Sequence, residues 1–391
     1  MLLRVLTLLM VTLLLSSCSY IPWFGDDEEV EIEPREPSEL TEITPEVRIQ
    51  ENWQTSLGGN AEEQFIQLQP HIYQDKIAFA QTGGKISVFQ VATGRPIVST
   101  NVGDQIFAGV GDNDHCLVLG TRDGVVRGLK SEDGVEAWSV SVSSEVSAVA
   151  HTQSELAVVR TNDDRIFGLS INTGEKLWSV TQTPPALTLR GASLPVVRDG
   201  VIYTGLDNGK VVAISADSGN AIWEARVSVP SGRSELERIV DIDGQLAIDE
   251  SYVYAASYHG RVVALDKTNG RIRWARDLAS ISGVAIDDAQ VYVTDKDDNV
   301  WALEKETGVS VWKQNQLLYR QLSAPVVQED VVLVGDYEGY LHALSKQDGR
   351  LIGRTRVGNK PIHTSPMSTK STAYVMDAGG HLGSYSIASG K

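Results

Sequence analysis

Apolar and polar residues alternate along the chain in short runs bounded by turn residues, a pattern typical of β-strands. Arg261–Asp266 predicts one strand, 267–270 a tight turn closed by glycine, and 271–274 the start of a return strand. The glycine supplies the positive φ that such a turn requires. Two further strands, such as 283–286 and 290–293, precede the next hairpin, and no long stretch with the helical period of about 3.6 appears.

This four-strand unit recurs from about residue 50 onward. Each copy has a turn glycine with a small or β-branched residue six positions before it. The glycines are Gly94, Gly134, Gly174, Gly219, Gly270, Gly308, Gly349 and Gly390. In five copies a Trp follows by four positions: Trp138, Trp178, Trp223, Trp274 and Trp312. Because four strands in about 40 residues are typical of a propeller blade, we predict an all-β fold, an eight-bladed β-propeller with four antiparallel strands per blade.

The two ends of the repeat region are predicted to meet. The last unit stops at residue 391, before the return strand that should hold its Trp, and the segment 51–57 contains Trp53. We therefore expect the N-terminal strand to join the last blade and close the ring, which removes a sheet edge that would invite aggregation.

The tryptophans in this frame are predicted to be structural. A Trp ring packed between blades buries a large area, and a small residue opposite makes room for it. The alternative is a Trp-lined sugar or cofactor site. Five in-frame copies together with Trp53 favour a structural repeat.

The first 17 residues predict a signal peptide, with Arg4 as a minimal positive region and an apolar core too short to span a bilayer. Residues 15–18, Leu-Ser-Ser-Cys, resemble the bacterial lipobox, so Cys18 is expected to carry the lipid anchor. The alternative is an ordinary signal peptide with a chance cysteine. Ser19 is not the Asp that marks inner-membrane retention in enteric bacteria, so the resemblance implies the outer membrane.

An acidic tether follows the anchor. Ten of residues 26–46 are acidic, one is Arg and three are Pro, which predicts a self-repelling, extended linker. The predicted organisation is a signal peptide at 1–17, a lipidated tether at 18–50 and a propeller at 51–391. The formal charge of −17 argues against nucleic acid as a partner and against electrostatic docking on anionic lipid.

Candidate chemistry is sparse. Two cysteines, Cys18 and Cys116, exclude a disulfide framework and a Cys-based zinc site, and the seven His are scattered without ligand-like spacing. No Gly-x-Ser-x-Gly elbow, Walker loop or His-Glu-x-x-His motif occurs. We therefore predict no catalytic residue and no cofactor.

One acidic segment imitates a calcium loop. Asp295, Asp297, Asn299 and Glu306 fall at calcium-binding positions of an EF-hand, but Val300 stands where that loop needs glycine. The segment also aligns with hairpin turns in other blades, so we predict a turn and no metal site.

Two consecutive intervals between turn glycines are longer than their neighbours and place extra residues at 181–193 and 230–244. Insertions on one face of a repeat array commonly form binding sites. The first contains Leu187, Leu189 and Arg190, and the second contains Asp241 and Asp243. Exposed Leu with Arg and a pair of Asp predicts a partner-binding surface, although two internally paired loops without a partner would have the same sequence.

The repeat Ala-Leu-x-x-x-Thr-Gly-x-x-x-Trp resembles the tryptophan-docking motif of the pyrroloquinoline-quinone-type propellers. This resemblance covers about 53–390 and implies the fold. Quinoprotein dehydrogenases also carry adjacent cysteines against the cofactor and longer insertions between blades, neither of which this chain has.

The lipobox, the acidic tether, the propeller repeats and the two loops together resemble the BamB family, lipoproteins of the outer-membrane β-barrel assembly machinery. That family carries Leu-x-Leu-Arg-Gly and Asp-x-Asp segments, which match 187–191 and 241–243, and 238–243 and 335–342 are also similar to it. The resemblance implies that these loops bind the POTRA domains of BamA, and through it the other assembly lipoproteins.

The expected function is therefore that of a non-enzymatic scaffold, anchored in the outer membrane and facing the periplasm, that aids folding and insertion of outer-membrane proteins. Asp241 and Asp243 would either meet a partner cation or brace Arg190. A further hypothesis is that nascent barrel proteins pair with a blade edge. The alternatives are a minimal quinoprotein-like enzyme and a periplasmic ligand-binding propeller.

Overall fold

The computed structural model describes residues 35–57, 68–150, 155–189, 191–369 and 371–390. The chain divides into two compact units, 1–36 and 37–391, and all the regular structure described lies in the second. Among the described residues, 32 β-strands form eight four-stranded antiparallel sheets, so the predicted eight-bladed propeller is confirmed. No helix in this part of the chain is long and apolar enough to cross a membrane. The predicted signal peptide and Cys18 lie outside the described residues.

Blades 1 to 4 follow one another along the chain. Blade 1 comprises β2 (His71–Tyr73), β3 (Lys76–Ala80), β4 (Lys85–Gln90) and β5 (Pro96–Asn101). Blade 2 comprises β6 (Ile106–Asp112), β7 (Cys116–Thr121), β8 (Val125–Lys130) and β9 (Glu136–Ser141). Blade 3 comprises β10 (Val146–Val149), β11 (Leu156–Thr161), β12 (Arg165–Ser170) and β13 (Lys176–Thr181). Blade 4 comprises β14 (Val196–Arg198), β15 (Val201–Gly205), β16 (Lys210–Ser215) and β17 (Ala221–Arg226).

Blades 5 to 8 complete the ring. Blade 5 comprises β18 (Ala247–Ile248), β19 (Tyr252–Ala256), β20 (Arg261–Asp266) and β21 (Ile272–Asp277). Blade 6 comprises β22 (Val284–Ile286), β23 (Gln290–Thr294), β24 (Val300–Glu304) and β25 (Ser310–Gln314). Blade 7 comprises β26 (Val326–Gln328), β27 (Val331–Gly335), β28 (Tyr340–Ser345) and β29 (Leu351–Arg356). Blade 8 comprises β30 (Met367–Ser368), β31 (Thr372–Met376), β32 (His381–Ser389) and β1 (Val47–Ser56).

Burial follows the position of each strand in its blade. In blade 5 the middle strands β19 and β20 are buried along most of their length, because their two faces pack against neighbouring blades. The fourth strand, β21, is largely exposed apart from its Trp. Middle strands are therefore nearly continuous apolar runs, whereas fourth strands need few apolar positions.

The repeated tryptophans dock six of the eight blades onto the next one. In six junctions the ring lies against the turn glycine of the following blade, where a Cβ would collide with it. The indole N–H of the same residue donates to a backbone carbonyl of that blade. These bonds are Trp53 to Val91, Trp138 to Ile171, Trp178 to Ala216, Trp223 to Lys267, Trp274 to Lys305 and Trp312 to Lys346, at 2.7 to 3.0 Å. The structural interpretation of these residues is thus confirmed.

The ring closes as predicted. β1 pairs antiparallel with β32, from Val47 opposite Ser389 to Ser56 opposite His381. It begins at Val47, four residues before the start predicted for the propeller. The last blade is therefore built from both ends of the repeat region. Its four strands are β30, β31 and β32 from the C-terminal end and β1 from the N-terminal end.

Each blade is an antiparallel meander, so its successive connections alternate between two faces of the ring. One face carries the connections between blades and the hairpins between second and third strands, and we call it the loop face. The opposite face carries the other hairpins, including the repeated glycine turns, and we call it the turn face. At five of the eight junctions the first strands of neighbouring blades contact each other, which places them at the centre of the ring.

The segment that imitates a calcium loop is a hairpin turn, as predicted. It joins β23 to β24, and the Asp295 carboxylate accepts the backbone N–H groups of Asp297 and Asn299, each at 2.9 Å. The same carboxylate also accepts from the Asn299 side chain and the Trp301 indole, so its oxygens are committed to the turn.

Candidate functional site

Two long connections on the loop face lie against each other. The first, 182–195, joins blades 3 and 4, and the second, 227–246, joins blades 4 and 5. The Leu189 N–H donates to Asp241 Oδ2 at 2.6 Å, and Ser193 Oγ donates to the Gly244 carbonyl at 3.3 Å. The two loops, predicted to be neighbours, therefore form one surface.

The predicted site residues occupy different depths in this surface. Leu187 is 42% exposed, whereas Leu189 is half-buried. Asp241 is only 2% exposed, and Asp243 is half-buried. Arg190 lies outside the described residues.

The two carboxylates lie against the first loop, and that of Asp241 bonds to it. Asp241 accepts the amide of Leu189, one residue before Arg190, and its Oδ1 has no hydrogen-bond partner among the described residues. The side chain of Asp243 packs against Gly191, where a Cβ would overlap it. Any larger residue at 191 would therefore displace the Asp243 side chain.

A buried cluster of charged residues, Arg160, Asp164 and Asp207, lies close to these two aspartates. Arg160, fully enclosed on β11, donates from Nη1 to the Gly205 carbonyl at 2.8 Å and from Nη2 to Asp164 at 2.8 Å, and it is ion-paired with Asp207. Burial works against the charge of Arg160, but the carboxylates of Asp207 and Asp164 outweigh it and raise its pKa. Burial raises the pKa of Asp207 as well, against the opposing effect of Arg160.

One guanidinium does not neutralise the whole cluster. Burial raises the pKa of Asp241 to about 7, although the Leu189 amide favours its ionised form. Burial and the nearby Asp207 and Asp241 raise the pKa of Asp243 to about 8. These two carboxyl groups therefore change protonation near neutral pH, directly behind the first loop.

The second loop has its own internal brace. Glu237 accepts the backbone N–H groups of Arg233 at 2.5 Å and of Ser234 at 3.3 Å, and these two bonds lower its pKa. This turn leaves Leu236 67% exposed. An apolar side chain is thus displayed on a backbone that its neighbours hold in shape.

The exposed apolar surface is larger than the sequence predicted. Val229 and Leu236 in the second loop and Ile281 in the connection between blades 5 and 6 are all exposed on the loop face, like Leu187. The second loop also bridges to that third connection through Gln245 and Gly283. The only sequence signal was an apolar residue inside a polar connection, which equally fits a buried anchor.

The geometry defines a class of protein: an eight-bladed, tryptophan-docked propeller with a braced apolar surface on one face. A family model described as outer membrane protein assembly factor BamB matches residues 83–314 and 319–391. The chain belongs to this BamB family.

Relatives and solved structures agree with the family assignment. The outer membrane protein assembly factor BamB of Pseudomonas aeruginosa is 37% identical over 351 residues, which are 90% of this chain and 92% of that protein. The crystal structure of BamB from Moraxella catarrhalis matches with a TM-score of 0.79 at 28% identity, over 86% of this chain and 99% of that one.

A likeness to enzymes concerns the fold alone. The quinohemoprotein alcohol dehydrogenase from Comamonas testosteroni matches with a TM-score of 0.69 at 12% identity, over 86% of this chain and 76% of that one. This agrees with the repeat pattern, which resembles the quinone-type propellers, and it transfers no activity.

Proposed function

We propose that this chain is a non-enzymatic scaffold lipoprotein that assists the assembly of β-barrel proteins in the outer membrane. Its membership of a family whose relatives are named assembly factors supports this function. The proposal includes a lipid anchor at Cys18, a propeller facing the periplasm and the POTRA domains of BamA as the partner, which the sequence resemblance implies. The other assembly lipoproteins would be reached through BamA.

The observation that supports the site best is the hydrogen bond from the Leu189 amide to Asp241. Because this bond restrains the backbone at Leu189, close to the exposed Leu187, less conformational entropy is lost when a partner binds there. Leu187 and Leu236 would be buried against the partner, and Arg190 would pair with a carboxylate or a carbonyl. In this proposal Asp241 and Asp243 are positioning residues that do not touch the partner.

The experiment is a detergent co-purification of the lipidated protein from its own membranes, comparing Leu187→Asp, Arg190→Ala and Ile97→Asp. Ile97 is a matched control, because it is 46% exposed but lies on β5 of blade 1. Truncating a central Arg typically costs about 2 kcal/mol, or roughly thirtyfold in affinity. We expect a POTRA-containing barrel protein to be lost with the first two variants and retained with the control.

Each contrary outcome has a distinct meaning. Equal recovery with all three variants would retain the scaffold function and reject this surface as its site. Absence of any POTRA-containing protein from the unaltered sample would reject the function and revive the ligand-binding and quinoprotein-like alternatives.

A further inference from the structure

The end of the predicted tether lies against blade 7. Residues 37–46, which we call the strap, precede β1 and contact the propeller along their whole length. The Ser38 N–H donates to the Leu318 carbonyl at 2.9 Å at one end, and the Glu46 N–H donates to the Ile352 carbonyl at 2.8 Å at the other. Leu40 and Ile43, half-buried, pack against the apolar cluster between blades 6 and 7.

Two arginines of the propeller donate hydrogen bonds to backbone carbonyls of the strap. Arg320 is 2% exposed; its Nε donates to Asp336 at 2.9 Å, and it is ion-paired with Glu338. Its Nη1 donates to the Ser38 carbonyl at 2.9 Å. A buried guanidinium that lost this acceptor would have an unsatisfied donor, which is costly.

Arg354 makes the second such contact, midway along the strap. Its Nε approaches the Nδ1 of the fully buried His342 at 3.2 Å, and its Nη1 donates to the Thr41 carbonyl at 3.2 Å. Burial lowers the pKa of Arg354, and the nearby Arg320 lowers it further. The backbone carbonyls of the strap therefore supply hydrogen-bond acceptors to two neighbouring guanidinium groups, those of Arg320 and Arg354.

The C-terminal end of the strap also replaces a docking tryptophan. Blade 7 has Gly353 where the repeat places Trp, four residues after Gly349. Six other turn glycines face an indole ring, whereas a Cβ on Gly390, the turn glycine of blade 8, would lie 2.8 Å from the Glu46 carbonyl oxygen. The Gly390 N–H donates to the same carbonyl at 2.8 Å. A Cβ on Gly353 would lie 2.8 Å from Val47, so the missing side chain makes room for the incoming chain.

The strap crosses the propeller from one face to the other. Leu318 and Arg320 belong to the connection between blades 6 and 7, on the loop face, whereas Gly390 and the start of β29 lie on the turn face. Ten residues extend to about 33 Å, which exceeds the roughly 20 Å of a six-residue strand. If the strap were undocked, the chain would leave the propeller at Val47, on the turn face.

We propose that blade 7 is a docking site for the chain's own tether, and that the docked strap moves the exit of the membrane tether from the turn face to the loop face. The part of this statement that concerns the membrane rests on the lipid anchor of the proposed function. As a consequence, the chain that leads to the anchor leaves the propeller on the loop face, which also carries the Leu187 and Leu236 surface. This exit point and that surface are about three blades apart around the ring.

Hydrogen exchange on the full lipidated chain in detergent tests the docking. We expect slow exchange at the Ser38 and Glu46 amides. The double variant Leu40→Ser, Ile43→Ser should accelerate both by at least about tenfold, with strand amides of blade 7 unchanged. The matched control is Glu39→Gln, Glu42→Gln, whose side chains are exposed. Unprotected amides in the unaltered chain, or equal exchange in both double variants, would overturn the docking.

Energy transfer in nanodiscs tests the exit face. A donor dye is placed at Lys296→Cys on the loop face or at Glu306→Cys on the turn face of blade 6, with acceptors on the lipid headgroups. We expect higher transfer from 296 in the unaltered strap, and loss of that difference in the Leu40→Ser, Ile43→Ser variant. Higher transfer from 306 with the strap intact would overturn the exit assignment. Slow hydrogen exchange in the strap requires no partner protein. Failure of the co-purification experiment would therefore reject the proposed function without contradicting the docking of the strap.

Discussion

The contact between Trp138 and Gly174 permits a quantitative test of what holds the blades together. Gly174 has a φ of +73°, and a Cβ there would lie 2.5 Å from the Trp138 ring. Gly200 has nearly the same φ, +74°, but a Cβ there would meet no atom within 4 Å. The pair Gly174→Ala and Gly200→Ala therefore differs in the ring contact and shares the backbone strain.

The expected magnitudes follow from these two terms. A left-handed conformation costs a non-glycine residue about 1 kcal/mol, so Gly200→Ala should lower the free energy of unfolding by about that amount. Overpacking against a fixed ring adds about 1–3 kcal/mol, so Gly174→Ala should cost about 2–4 kcal/mol. Urea unfolding followed by circular dichroism gives both values from the shift in midpoint at constant slope.

A double-mutant cycle isolates the ring contact. Trp138→Leu removes the ring and its 2.7 Å bond to the Ile171 carbonyl, and it destabilises the protein by itself. In that background Gly174→Ala should cost only the backbone strain of about 1 kcal/mol. Equal losses for Gly174→Ala and Gly200→Ala, or an unchanged cost of Gly174→Ala without the ring, would refute the docking argument.

Three further predictions concern buried groups. Burial raises the pKa of Asp243 to about 8, so the folded protein keeps the Asp243 proton at a pH where the unfolded chain has lost it. The resulting stabilisation of the folded state is full below about pH 4 and is lost as the pH rises through 8. Urea midpoints should therefore fall less between pH 5 and pH 9 in Asp243→Asn than in the unaltered protein, and equal falls would contradict this. Asp241→Ala should accelerate hydrogen exchange at the Leu189 amide with little change in the strands, whereas an unchanged rate would show that the brace is unimportant. Cys116 is buried, and burial raises its pKa to about 11, so iodoacetamide at pH 7.5 should modify it only after unfolding; rapid modification of the folded protein, measured by mass, would disprove this.

The fold could be predicted from the sequence because each blade repeats the same local solution. In most blades a turn glycine at a positive φ and a short polar residue before it specify the hairpin, and a Trp four positions later specifies the docking on the next blade. Closure was equally predictable, since Trp53 and Gly390 are two halves of one repeat. Seven turn glycines at a positive φ and six docking tryptophans make such a pattern far more specific than any single turn.

The depth of the candidate site could not be predicted in the same way. Leu187 is exposed as expected, but Asp241 is held beneath the surface by contacts from a neighbouring blade. The buried Arg160 lies in another blade again, and its sequence context shows only a charged residue in a strand. Long-range pairing of this kind leaves no periodic signal, so the sequence alone kept two roles open for the aspartates.

The strap shows that composition did not reveal the docking of residues 37–46 on the propeller. Acidic residues and prolines predict an extended, self-repelling chain, and most side chains of 37–46 are indeed exposed. The contacts that dock this segment use mainly its backbone N–H and carbonyl groups, together with the apolar side chains of Leu40 and Ile43 and the Glu46 carboxylate. Composition describes side chains, and it therefore says little about a segment that is recognised through its backbone.

The junction of blades 7 and 8 combines these arguments. It lacks the docking Trp, it joins the two ends of the repeat region through β1 and β32, and Glu46 of the strap bonds to its turn glycine. The Arg350 guanidinium on the same side pairs with the Glu46 carboxylate at 2.5 Å. Contacts that come from a single indole ring at six other junctions are here divided between the last strand pair and the incoming chain; at the junction of blades 1 and 2, Val98 takes the place of the ring. Docking of the strap and closure of the ring should therefore stabilise each other, because both use the chain around Glu46 at a junction that has no docking tryptophan.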